Sequence, residues 1–155
     1  MYSQQLVIIV KMVFVDSGWN YDFEEEYGAF RAGINLRCKL KSCDVIVLVG
    51  EEFIDSLAMI NISVDEDKRN EVVEFITRVN YTIKYGNFDF DYKSGKIGFR
   101  LSVDCAGGTI PSKEEVKRAM TIPAILYERY GDGLLSVLSG LETPKEAVEK
   151  IGRLS

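Results

Sequence analysis

Two runs of strict alternation stand out along the chain, at 87–92 and 97–105, on either side of Lys93-Ser94-Gly95. In the first, Phe88, Phe90 and Tyr92 alternate with Asn87, Asp89 and Asp91. In the second, Ile97, Phe99, Leu101, Val103 and Cys105 alternate with Gly98, Arg100, Ser102 and Asp104. A period of two over this length predicts a hairpin with one face buried and one wet. Gly95 supplies the positive φ that its tight loop requires. On the wet face Asp89 and Asp91 come within reach of Arg100 or Lys96, cross-strand pairs that contribute about 0.2–1 kcal/mol each. Such a hairpin needs an apolar layer beneath it.

Upstream, Leu6, Val10, Val13 and Phe14 share a helical face, with Ser3 to cap and Gly18 at C′. This predicts a helix over residues 4–16 in spite of the β-branched content. Strands are predicted at Trp19–Phe23 and Phe30–Cys38, turned by Glu24–Glu26 and Gly28; Arg37, Lys39 and Lys41 then share a wet strand face. Val45–Val49 is apolar on both faces, which predicts a central strand covered on each side. Leu57–Ser63 follows, with Ala58, Ile60 and Ile62 on one side and a bend at Glu51-Glu52.

From Asp65–Asp67 the period becomes helical, with acidic residues suited to a first turn. Val72, Ile76, Val79 and Ile83 predict an amphipathic helix running into Tyr85-Gly86. Asn80 sits beside that stripe and is expected to pin the helix to the hairpin, because an unsatisfied, partly buried amide costs about 1–3 kcal/mol. Beyond Gly107-Gly108 and Pro111, Ser112 and Glu115 have capping-box spacing. Val116, Met120, Pro123, Tyr127, Tyr130, Leu134 and Val137 then recur at fours and threes, through a proline and past Gly131 and Gly133. An interior proline costs roughly 3 kcal/mol and each glycine about 1. The expectation is one kinked helix ending near Gly140, or two collinear helices divided at Pro123. Thr143-Pro144-Lys145-Glu146 opens a last short helix. The order α-ββββ-α-ββ-α-α defines an α+β class: a largely antiparallel twisted sheet with helices mainly on one side.

Composition narrows the function classes. A chain of 155 residues suits one domain with a real core, spanning residues 1–155. A net charge of −5 argues against a nucleic-acid partner. The chain has no histidine, which removes Ser-His-Asp and Cys-His mechanisms and His-ligated zinc. Ser94-Gly95-Lys96 is no phosphate loop, since Phe90 and Ile97 stand where that motif needs Gly and Ser or Thr. A calcium loop counted from Asp89 would meet Lys93 and Arg100 at ligand positions. No catalytic residue, cofactor or metal site is expected, and Glu24–Glu26 reads as a charged turn. Cys38, Cys43 and Cys105 read as reduced, mostly buried thiols. The run Leu6–Val15 is broken by Lys11 and is shorter than the ~18 residues of a membrane span. The leader has no signal-peptide pattern. A cytoplasmic protein with no membrane partner is expected. Trp19, Tyr21 and Phe23 are sheet core or, alternatively, a peptide-binding groove, and are the candidate partner-binding residues.

Arg69-Asn-Glu-Val-Val-Glu-Phe-Ile76, Val79-Asn80, Gly86-Asn-Phe88-Asp-Phe-Asp91, Gly95-Lys-Ile97 and Arg100-Leu-Ser-Val-Asp104 together resemble the YbjN family. The resemblance runs from about Trp19 to Gly140 and is sharpest over Arg69–Asp104. Its motifs are structural, with Asn80, Gly86, Phe88 and Gly95 as their anchors. The resemblance implies a fold like that of the type III secretion chaperones, usually dimeric and lacking enzymatic activity. It implies a non-enzymatic regulatory or chaperone-like adaptor that binds a protein or peptide partner as a homodimer. The alternative is a small-molecule-binding sensor, or an unrecognised enzyme, with an apolar pocket beneath Trp19 and Tyr21.

Overall fold

The computed structural model describes residues 1–154, the last two by backbone alone. Its strands are β1 (Asp22–Glu24), β2 (Ala29–Asn35), β3 (Ser42–Val49), β4 (Phe53–Ser63), β5 (Asn87–Asp91) and β6 (Lys96–Asp104). They form one six-stranded sheet in the order β1-β2-β3-β4-β6-β5, antiparallel at every pairing. The helices are α1 (Gln4–Asp16), α2 (Arg69–Asn80), α3 (Lys113–Leu138) and α4 (Pro144–Leu154), and the α+β element order is the one predicted. Because α2 intervenes between β4 and β5, it is β6 that joins β4, and β5 folds back to become the edge.

One face of the sheet is the core. Cys43, Val45, Val47 and Val49 of β3 are buried with Ile54, Ala58 and Ile60 of β4, and with Phe30, Ile97 and Phe99 from the neighbouring strands. The α3 stripe from Val116 to Val137 is buried against them, and the Tyr127 hydroxyl donates to the Ala58 carbonyl at 2.9 Å. The helix is undivided at Pro123, so this burial outweighs the roughly 3 kcal/mol cost of the proline. Its glycines are close-approach positions. A Cβ on Gly131 would lie 2.6 Å from Leu40 Cδ1 and 3.1 Å from Cys38 Sγ, and one on Gly133 would lie 2.8 Å from Ile151 Cδ1. The Ser112–Glu115 capping box is formed, and the helix stops at Leu138, two residues before Gly140.

The boundaries differ from expectation where the chain spends its backbone elsewhere. Trp19 and Tyr21 precede β1, since residues 17–19 close α1 instead: Ser17, Gly18 and Trp19 amides donate to Val13, Val15 and Phe14 carbonyls. β2 stops at Asn35, short of Cys38, because Leu36 N–H turns to Lys41 O and the loop docks on α3. There the Arg37 and Lys39 amides donate to Glu128 Oε2 (3.0 Å) and Asp132 Oδ1 (2.8 Å). Arg37, Lys39 and Lys41 therefore share no strand face. β4 starts earlier than predicted, at Phe53. α2 ends at Asn80, and Ile83 follows it in a turn in which its N–H donates to Asn80 O. On the hairpin Phe88 is buried, Phe90 is half-buried and Tyr92 is exposed; Cys38 too is only half-buried. β3 is central but covered on one side only, with Asp44 and Leu48 exposed and Ile46 half-buried.

Candidate binding surface

Trp19, Tyr21 and Phe23 gather under α1 at the β1 edge, all half-buried. Phe14 and Phe30 centre the cluster. Tyr21 lies 4.8 Å from Phe14, Phe23 lies 4.5 Å from Phe30, and Trp19 meets Phe14 edge-on at 6.1 Å. Lys11 Nζ stands 4.5 Å over the Phe23 ring, a cation–π contact. The rings close the core at this edge. Phe14 and Phe30 pack against Trp19 and Tyr21, where the alternative reading placed an apolar pocket.

At the opposite edge Asn80 acts as a substitute strand. Its Nδ2 donates to Phe88 O at 3.1 Å, and Phe88 N–H donates to its Oδ1 at 2.8 Å. Arg69 adds a hydrogen bond from Nη1 to Tyr92 O and one from Nε to Val64 O at 2.9 Å. Asn80 thus occupies both main-chain groups of Phe88 that would otherwise face a new strand, and Arg69 holds the chain just past the end of β5. The Phe88 ring packs edge-on against Phe99 (4.8 Å) and Tyr127 (5.4 Å). Gly86 and Gly95 have φ of +76° and +74°, and a Cβ on either would press on backbone, 2.6 Å from Arg100 O and 2.5 Å from Val64 O respectively. These four residues position the hairpin.

The remaining surface of interest is the sheet face away from the helices. Ile46 of β3 stands directly across from Leu57 of β4, with Leu48 and Met59 diagonally beyond. Gly98 of β6 leaves room for this stripe: a Cβ there would lie 2.7 Å from Met59 Sδ and 3.1 Å from Leu57 Cδ1. Leu48 is 38% exposed, and Ile46, Leu57 and Met59 are half-buried. Around them lie charges. Arg100 reaches Asp55 and Asp89, the latter at 3.0 Å; the Asp89 hydrogen bond, followed by the Asp55 charge, raises the guanidinium pKa above its ordinary value. Arg31 pairs with Glu24. Gly33 carries no side chain, and beside it opens a depression of about 390 Å³ lined by Asp22, Arg31, Asp44, Ile46 and Met59. Neither Trp19, Tyr21 nor Phe23 belongs to this face. The apolar outward positions of Val45–Val49 were its signal in the sequence.

A second apolar surface lies on α1, where Ile8, Met12 and Val15 are 56%, 41% and 67% exposed at helical spacing. α1 is therefore apolar nearly all round, a pattern that belongs to covered helices.

Burial, followed by the Asp44 charge, pushes the Cys43 thiol up to about 12. Burial likewise raises Cys105 and the Tyr127 phenol. No curated protein matches the chain in sequence. A profile of the YbjN family, described as "putative bacterial sensory transduction regulator", matches residues 9–136, from within α1 to nearly the end of α3. With most of its length under that match, the chain belongs to the YbjN family.

Proposed function

We propose that this YbjN-family chain is a non-enzymatic regulatory module, a chaperone-like adaptor that holds a segment of a protein partner and works as a homodimer. The observation that carries this reading is the six-stranded sheet covered on one face only, with Leu48, Ile46, Leu57 and Met59 across the centre of the other. Apolar surface gathered in one place marks interaction sites. The second copy belongs on α1. A two-fold contact sets each group near its own copy, and the exposed positions from Gln4 to Val15 carry no charge. The module suits the cytoplasm, where its three free cysteines stay reduced. Among the described residues no helix is long and apolar enough to cross a membrane.

Light scattering of the full chain is expected to give twice the 17.5 kDa chain mass, and Ile8→Glu/Met12→Glu is expected to restore the single mass. For the partner, the tagged chain and a Leu48→Lys/Leu57→Lys variant are compared in capture from the native host. Proteins held by the first and lost by the second support the reading. A monomeric wild type removes the dimer, and partners unaffected by the variant remove the sheet face as their site.

A second reading, a small-molecule sensor, is favoured by a groove of about 1140 Å³ between α3 and α4, lined in part by Lys39, Arg129, Asp132 and Glu142. A metabolite that raises the melting temperature through the stabilisation of about 2.7 kcal/mol expected at a hundredfold excess over Kd would establish it in place of the adaptor.

A further inference from the structure

We infer that the open face of the sheet takes a basic amphipathic helix of the partner protein; the inference rests on the docking role proposed above and names the occupant. The stripe runs diagonally from Leu48, through Ile46 and Leu57, to Met59, which pairs with Asp44. Four residues of strand separate its ends, about 13 Å, the length of about nine helical residues. Helices already cover the opposite face, and a helix laid here completes a layered arrangement.

Charge selects which helix. Asp22, Glu24, Asp44, Asp55, Asp89, Asp91 and Asp104 stand on this face against Arg31, Arg100 and Lys96, the last directly across from Asp91. Both arginines are already engaged, Arg31 by Glu24 and Arg100 by Asp55 and Asp89. Among the described residues Asp22 and Asp44 form no ion pair, and they border the depression beside Gly33 together with Arg31, whose charge is held by Glu24. A Cβ built on Gly33 would meet nothing within 4 Å, so the space is open. A Lys or Arg side chain fits it, with its stem along Ile46 and Met59 and its charge toward the two carboxylates. A second copy of this chain laid face to face would set carboxylates against carboxylates. Nucleic acid and anionic membrane meet the same repulsion.

The test uses the full chain and a fluorescein-labelled helical peptide of about 18 residues with leucines at i, i+3 and i+4 and lysines elsewhere. Its counterpart carries glutamates in place of the lysines. By anisotropy the Lys/Leu peptide is expected to bind saturably, more weakly as salt rises, and the Glu/Leu peptide at least roughly tenfold less tightly. Asp22→Lys/Asp44→Lys is expected to weaken the Lys/Leu peptide by roughly tenfold with circular dichroism unchanged. Asp65→Lys/Asp67→Lys makes the same charge change off this face and is expected to have a much smaller effect. Equal binding of the two peptides, or equal effects of the two charge reversals, overturns the inference. So does a captured partner that depends on Leu48 and Leu57 yet is not displaced by the Lys/Leu peptide, an outcome that leaves the docking role standing. Capture unchanged by Leu48→Lys/Leu57→Lys removes the docking role itself.

Discussion

Truncating Asn80 to alanine isolates the contact that joins α2 to β5. The side chain makes two hydrogen bonds to one residue, donating to Phe88 O at 3.1 Å and accepting from Phe88 N–H at 2.8 Å. Each is worth about 0.5–1.5 kcal/mol net, so Asn80→Ala is expected to cost about 1–3 kcal/mol. Asn80 is half-buried and Phe88 is 6% exposed, so water replaces these bonds only in part. For a chain of this length about 2 kcal/mol lowers the melting temperature by roughly 4–8 °C. Asn80→Asp sharpens the test. It keeps an acceptor for Phe88 N–H but turns a carboxylate oxygen toward Phe88 O, so at neutral pH it is expected to be at least as destabilising as alanine. Thermal and urea melts measure both variants, and hydrogen exchange at the Phe88 amide reports the contact locally, with faster exchange expected in both. A melting shift below about 1 °C for Asn80→Ala, or an Asn80→Asp variant as stable as the wild type, would refute the substitute-strand account.

Ser56 is fully buried between β3 and β6, and among the described residues its hydroxyl has no hydrogen-bond partner; Ser56→Ala is expected to raise stability by about 1 kcal/mol in a urea titration, and a loss would show the hydroxyl to be satisfied. Gly95→Ala must place a Cβ at φ +74° and 2.5 Å from Val64 O, so a loss of about 1–3 kcal/mol is expected. Gly18→Ala has a similar φ with nothing within 4 Å and is expected to cost less; equal melting temperatures would contradict the backbone clash. The folded Cys43 pKa, about 12, lies above its ordinary value of 9.0, so the unfolded chain releases this proton first. Stability is therefore fully present below about pH 9 and falls as pH rises toward about 12. Urea midpoints at about pH 8 and about pH 10.5 should show the fall, with a shallower one in Cys43→Ala; identical slopes would assign it to other groups.

Local signals carried most of the fold. α1 has its predicted bounds because Ser3 Oγ accepts from Leu6 N–H and Gly18 turns the chain at its end. The caps at Ser112 and Thr143 likewise depend on residues three positions away. What the pattern hid was tertiary. The loop after β2 reads as continued strand until it meets Glu128 and Asp132, some ninety residues later. Gly131 and Gly133 count as helix penalties until Leu40 and Ile151 are brought against them. The start of β4 was lost because both its faces are partly apolar: Ile54 and Ala58 alternate with Phe53, Leu57 and Met59. That same ambiguity, shared with Val45–Val49, is the signature of the open face. Its sequence shows that the second face is apolar, and only the topology shows that, among the described residues, no helix reaches it.

For the partner proposed above, the edges and the open face together would determine how it is recognised. β1 is three residues long, and in β5 Asn80 takes both outer main-chain groups of Phe88 while Arg69 takes Tyr92 O just past the strand. Strand addition, which draws affinity from sequence-tolerant backbone hydrogen bonds, has little room at either edge. A partner on the open face meets side chains instead, so the pattern of apolar and charged groups sets the choice. The stripe is small. Fully burying an exposed aliphatic side chain gives about 1.5–3 kcal/mol, and Ile46, Leu57 and Met59 are already half-buried, so each adds about 1 kcal/mol more. Against an association cost of at least about 4 kcal/mol, four such residues only break even. The partner's own apolar face and the charges around the stripe then decide whether the contact holds, and salt can reverse it. Two copies of the face on one dimer would multiply the hold on a partner with two helices by about 10²–10⁴ without any new contact. Dissociation of the α1 contact would then release the partner, and the regulated quantity would be the dimer.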